Sequence, residues 1–328
     1  MTSDYSFYRR AAAASPEPSL EGGASGYFSA PADTLDPNLF NGERMKPEVR
    51  ARIMVRLFEW LEANGFNGDH NWLHAWVAGS GVTYQWAASR GNGDLDVLFG
   101  IDFTKFLAAN PDWHGTPETE LAMHVNSRLK EDLWPLTAKT KFGSGHYEVT
   151  YFLNPGTGTD IRNINAYAAY DLVNDKWSIR PPELPADPRT LYPHEWFDVA
   201  DYDRAAADGL SSRYKALTAR LSGAQEGSAA WHNAGADLHQ VIAQASALFD
   251  DIHLGRRGAF APQGHGYGDY RNFRWQQGKA TGAVQALNAI ATVGRQARAG
   301  EETEMYGAPI DPAEVVLARA ALFHQNGS

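Results

Sequence analysis

The sequence predicts an α+β fold in which a mixed sheet with flanking helices is followed by an all-helical carboxy-terminal half. Between residues 47 and 180 apolar residues recur first at helical and then at strand spacing, in alternation. The cluster Pro181-Pro182 and Pro185 then punctuates the chain, and beyond it Ala- and Gly-rich helical patterns run onward. These observations divide the chain into an amino-terminal arm over 1–45, a mixed domain over 46–185 and a helical domain over 186–328.

Taken in order, residues 1–45 are rich in Ala, Ser, Pro and Gly without a steady period, which predicts an irregular arm. Its aromatics, Tyr27 and Phe40 among them, predict that it lies against the body of the protein. Pro47 suits a first helical turn, Val49, Ile53, Leu57 and Leu61 repeat every four residues, and Gly65 stops the helix. The apolar run 72–78 reads as a short buried strand, broken by Gly79-Ser80-Gly81. Residues 82–89 have the length of a two-turn helix, and Arg90-Gly91-Asn92-Gly93 is a second break. Over 94–102, Leu95, Val97 and Phe99 point one way while Asp94 and Asp96 point the other, the alternation of a half-buried strand.

Thr116 and Pro117 are cap and first-turn residues for a helix running to about Trp134. Residues 146–153 and 160–172 read as strands around a Pro/Gly turn, with 176–179 pairing back as a short ribbon. In the second half, helices are expected over 198–222, 228–253, 271–298 and 312–325, with a glycine-rich loop over 255–268.

The chain has no cysteine, which excludes disulfides, thiolate metal sites and a thiol nucleophile, so any chemistry must use oxygen and nitrogen. Lys and Arg number 29 against 39 Asp and Glu, a net charge of −10 that argues against wrapping long nucleic acid. No apolar stretch approaches the roughly 20 residues of a spanning helix. The amino terminus lacks the apolar core of a secretory signal, and a cytoplasmic protein is expected. His70 and His74 have a zinc-like spacing, but no third ligand accompanies them.

The residues with chemical promise are Gly79, Ser80, Asp94 and Asp96. Carboxylates two positions apart on a strand share a face, about 6–7 Å apart. Such a pair suits Mg²⁺ or Mn²⁺, which prefer oxygen ligands, and bound cations reverse the sign of an acidic site so that it can accept an anion. A glycine at the preceding strand end lets a phosphate come close, and a serine hydroxyl can donate to it.

Ala78-Gly79-Ser80, thirteen intervening residues, and then Asp94-Leu95-Asp96-Val97 resemble the signature of the nucleotidyltransferase superfamily related to DNA polymerase beta. The nearest branch holds oligoadenylate synthases and cyclic-oligonucleotide synthases. The resemblance implies a polymerase-beta-like sheet and transfer of a nucleoside monophosphate from an NTP such as ATP to an acceptor hydroxyl, with two Mg²⁺ or Mn²⁺ ions and release of pyrophosphate. The implied acceptor is a nucleotide, a tRNA end or a small molecule, and the product a short or cyclic oligonucleotide.

The resemblance also implies a third carboxylate on a later strand. Asp160 is the first choice, with Glu148 and Asp171 as alternatives, and Asn163-Ile164-Asn165-Ala166 departs from the branch's usual pattern after that acid. It further implies a basic residue from the helical domain on the triphosphate, for which Lys215 is chosen beside Arg213, Arg274 and Lys279, and a cleft between the domains. The alternative reading is a non-catalytic nucleotide-binding or interaction module that retains the scaffold.

Overall fold

The computed structural model describes residues 5–22, 26–86 and 94–307. Among them the chain forms two compact units, one of residues 26–86, 94–191 and 260–267, the other of residues 5–22, 192–259 and 268–307. No helix among the described residues is long and apolar enough to cross a membrane.

The first unit is built on a mixed five-stranded sheet. Its strands are β1 (Leu73–Ala78), β2 (Leu95–Ile101), β3 (Val149–Leu153), β4 (Ala169–Asp171) and β5 (Lys176–Ile179), in spatial order β3-β2-β1-β4-β5. β2 runs antiparallel to β1 and parallel to β3, while β4 pairs antiparallel with both β1 and β5. The coarse expectation of an α+β chain with a mixed sheet therefore holds.

Alternation along these strands separates the two faces. Ala75, Val77, Leu95, Val97, Phe99, Val149, Tyr151 and Tyr170 join the main core with the helix Pro47–Ala63, whose Val49, Ile53, Leu57 and Leu61 are buried at the expected spacing. Leu121, Val125, Leu129 and Leu133 add a second helical stripe to that core. The opposite face carries a smaller cluster of Trp76, Ala78, Ile161 and Ala169.

The exposed edge of β3 is satisfied by side chains rather than by another strand. Thr137 Oγ1 donates to the Val149 carbonyl at 2.7 Å, and Asn126 brackets Leu153, donating to its carbonyl at 2.9 Å and accepting from its N–H at 2.8 Å. Edge pairing with another chain is thereby discouraged.

Tyr147, 2% exposed, donates its hydroxyl to Asp36 Oδ2, and burial, followed by that carboxylate, pushes the phenol upward so that it stays protonated. Tyr147→Phe is expected to cost about 1.5–3 kcal/mol, the range for a hydrogen bond to a charged group, read as a lower urea midpoint. A loss under about 0.5 kcal/mol would show that Asp36 is satisfied without it.

The second unit is helical: Ser6–Ala14, His194–Gly223, Ala229–Ala259, Tyr270–Ala280 and Ala283–Tyr306. Leu221, Leu238, Val241, Leu287 and Ile290 are at the centre of its core.

Several elements differ from expectation. Residues 6–14 of the expected irregular arm are helical, with Phe7 and Ala11 buried in the helical unit's core, whereas Phe40 joins the sheet's core. The alanine run has the propensity for a helix, but burial by partners distant in sequence stabilises so short a segment. Residues 146–153 split into a short ribbon strand, Gly145–Tyr147, and β3. Only 169–171 of the expected strand 160–172 pair, because Asp160 accepts from the Arg162 N–H to cap a 3-10 turn at Ile161–Asn163, while the Asn163 and Asn165 amides bond carbonyls of nearby loops. The expected helix 271–298 breaks at Gly282, whose φ of 80° ends one helix and starts the next. Residues 255–259 complete a helix instead of opening the glycine-rich loop. The expected helix at 312–325 lies outside the described residues.

Candidate functional site

β1 ends at Ala78, directly opposite Asp96 in the antiparallel register with β2. The chain then reverses through Gly79-Ser80-Gly81. Gly79 has φ 89° and ψ −164°, a conformation open essentially to glycine. A Cβ there would stand 3.2 Å from Asp96 Oδ2, and a Cβ on Gly81 would stand 2.6 Å from the Asp94 carbonyl oxygen. Both glycines are needed because the bend lies against the start of β2. Alanine at 81 would have to displace backbone.

Ser80 and Thr83 hold this bend together. Ser80's carbonyl accepts from the Thr83 N–H at 3.1 Å and from Thr83 Oγ1 at 2.9 Å. The Ser80 hydroxyl itself has no hydrogen-bond partner among the described residues. The expected helix over 82–89 is replaced as far as residue 86 by a 3-10 turn at Ser80–Val82 and further turn structure, and 87–89 lie outside the described residues. The bend thus offers close backbone approach and a hydroxyl rather than a helix amino terminus.

Asp94 is exposed and immediately precedes β2, and Asp96 is half-buried within it. Asp96 Oδ1 accepts from Thr150 Oγ1 at 2.9 Å, across the parallel pair in which Asp96 stands beside Thr150 and Leu95 beside Val149. Thr150 is not among the residues the motif singles out; its alternation with Glu148 is the signal the sequence carries for it.

The same register sets Glu148, just before β3, beside Asp94, and Leu95 N–H donates to the Glu148 carbonyl at 2.8 Å. Glu148's carboxylate accepts from Trp134 Nε1 at 2.7 Å. Of the three candidates for a third carboxylate, it is the one that stands at the Asp94 end of the sheet.

Asp160 is brought elsewhere. The loop before it packs on Gly100, where a Cβ would meet the Gly158 carbonyl at 1.9 Å, and Gly100 lies at the other end of β2 from Asp96. Its carboxylate is held by the Arg162 guanidinium, which also keeps it below the usual carboxylate range. Asp171 sits on β4 opposite Trp76, its oxygens taken by the Val173 and Asn174 N–H groups and the Asn174 side chain. Asp160 and Asp171 are each bonded to local donors, as Glu148 is to Trp134, so what separates the three acids is their place along the sheet.

Lys215 lies on the helix His194–Gly223 of the helical unit, with Nζ 3.6 Å from Glu17. Arg213 donates to Gln244, and Arg274 is committed to Asp203 and Asp251.

Among the described residues, no group of three or more His, Asp or Glu is gathered closely enough to hold a metal. Asp94 and Asp96 form a two-carboxylate, all-oxygen set, which fits Mg²⁺ or Mn²⁺ where phosphate and water complete the coordination. Comparison with models of protein families, with curated proteins and with solved structures finds no match to this chain.

Proposed function

We propose that the chain is a nucleotidyltransferase on a polymerase-beta-like sheet, moving a nucleoside monophosphate from an NTP to an acceptor hydroxyl. The observation that carries the reading is the packing of the Gly79-Ser80-Gly81 bend on the start of β2, which brings Ser80 and the two carboxylates to one strand end.

In this reading Asp94 and Asp96 would hold Mg²⁺ or Mn²⁺, which when bound neutralises the triphosphate and acts as a Lewis acid toward the phosphoryl group. Gly79 and Gly81 keep the bend free of side chains, and Ser80 Oγ donates to a terminal phosphate oxygen. Thr150 orients Asp96. The acceptor oxygen attacks the α-phosphorus, the bond to pyrophosphate breaks, and Glu148 is the carboxylate placed to take the hydroxyl's proton. The net charge of −10 favours a nucleotide or another small acceptor over long nucleic acid. A cytoplasmic location, where NTPs are available, completes the reading.

Incubation with each NTP and Mg²⁺ or Mn²⁺, with pyrophosphate as the readout, tests the proposal. Glu148→Gln keeps an acceptor for Trp134 and is expected to slow release by about 10²-fold, the lower range for loss of a general base. Asp160→Asn is expected to leave the rate within about twofold, as befits a surface pair. The reverse pattern would assign the third acid to Asp160.

The scattering of Asp160 and Asp171 away from Asp96 favours a second reading, a nucleotide-binding module without turnover. NTP binding without pyrophosphate release across candidate acceptors would decide for it.

A further inference from the structure

A cavity of about 390 Å³ opens between the β4–β5 hairpin, the 160–162 turn and the outer end of β1, where His74 and Trp76 contribute to its lining. Trp76 is two and His74 four residues before Ala78, so the cavity runs from about 7 to about 13 Å along the strand from the position opposite Asp96. It belongs to a different part of the sheet from the Gly79 bend, and its volume suits a small-molecule site.

The hydrogen bonding of its walls decides what it can take. Both carboxylates that line it already accept several local donors. Asp160 accepts from the Arg162 N–H at 3.0 Å, from Nε at 2.9 and 3.0 Å and from Nη2 at 2.7 Å. Asp171 accepts two backbone N–H groups at 2.9 and 2.8 Å and the Asn174 amide at 2.8 Å.

Three of the remaining groups have donor capacity to spare. The Lys176 ammonium has neither a hydrogen bond nor an ion-pair partner among the described residues, and Arg162 Nη1 is left over from the Asp160 fork. Ser178 Oγ accepts from Trp76 Nε1 at 3.1 Å, so its own proton is available to a ligand. An ammonium and a hydroxyl two residues apart on β5, with a guanidinium from the 161–163 turn, match an anion with several acceptor oxygens.

We propose that this cavity binds the phosphate group of a small organic phosphate monoester through Lys176, Arg162 and Ser178. The cavity is larger than a free phosphate requires, so the organic portion occupies the remainder beside His74. This inference does not depend on the nucleotidyltransferase reading.

The test is calorimetric titration of the full chain, without divalent metal, using orthophosphate, glycerol 3-phosphate and AMP as probes. At least one ester should bind more tightly than orthophosphate. Lys176→Gln and Arg162→Gln, at exposed positions that should leave the thermal midpoint in place, are each expected to weaken that ester by about tenfold. Asp96→Asn should leave its affinity unchanged. The proposal is overturned if no probe binds, if orthophosphate binds as tightly as the esters, or if binding survives both cavity variants.

Discussion

Asp96→Asn is expected to lower pyrophosphate release by about 10³-fold or more, roughly 4 kcal/mol of transition-state stabilisation, while the protein stays folded. The reasoning separates two roles of one side chain. As a hydrogen-bond acceptor, Asp96 receives the Thr150 hydroxyl at 2.9 Å, and asparagine retains a carbonyl oxygen for that bond. As a charge, it stands 3.2 Å from where a Gly79 Cβ would be, at the edge of the bend, and asparagine supplies none. Rate should therefore fall without a matching fall in thermal midpoint. Asp94, exposed at the start of β2, should behave similarly. An Asp96→Asn protein that released pyrophosphate at the wild-type rate would sink the role assigned to this strand, whatever the acceptor.

Arg274→Met should give the largest loss of stability in the helical unit, about 3–5 kcal/mol, the usual cost of breaking a buried ion pair from one side. Arg274, on the helix Tyr270–Ala280, donates Nε at 2.6 Å and Nη2 at 2.9 Å to Asp203 on His194–Gly223. It also donates Nη1 at 2.6 Å to Asp251 on Ala229–Ala259. The pair is largely shielded, with side-chain exposures of 18% for Arg274 and 11% for Asp203, whereas Asp251 at 65% contributes little. The bond to Asp203 is also the main cause of the further rise in the guanidinium's already high pKa, despite burial acting against it.

Methionine can fill the space but leaves Asp203 charged and without its fork. Adding Asp203→Asn should recover part of the loss, since the uncompensated charge is then gone. Urea denaturation of both variants measures this. A single-variant loss below about 1 kcal/mol would mean that Asp203 is hydrated once Arg274 is removed.

The fold was legible in the sequence where one periodicity dominated. The stripe Val49, Ile53, Leu57 and Leu61 and the alternation Leu95, Val97 and Phe99 each specify a buried face by spacing alone, and both are buried as expected. The region 160–172 was harder, because Ile161, Ile164 and Ala166 look strand-like although they pack beneath the sheet from a loop, tied by Asp160 and Asn163. Periodicity reports burial and cannot say whether the backbone is paired.

The candidate site was legible in the same partial way. Gly79 beside Asp96 could be anticipated from the strand, the bend and the spacing, and the contact is present. The third acid could not, since choosing among Glu148, Asp160 and Asp171 requires the register between β2 and β3, a pairing of strands about fifty residues apart.

By itself, then, the sequence determined the strand that Asp94 precedes and Asp96 sits on, the glycines of the bend and the helical character of the second half, because these follow from short-range spacing and backbone sterics. Only the tertiary structure decided that Glu148 rather than Asp160 stands at the Asp94 end of the sheet, that Arg274 is committed to Asp203, and that Lys176 lines a cavity whose carboxylates are bonded to local donors. Each of these is a relation between groups far apart in the chain. Which side chains meet is set by strand order and helix packing, and these depend on the whole core.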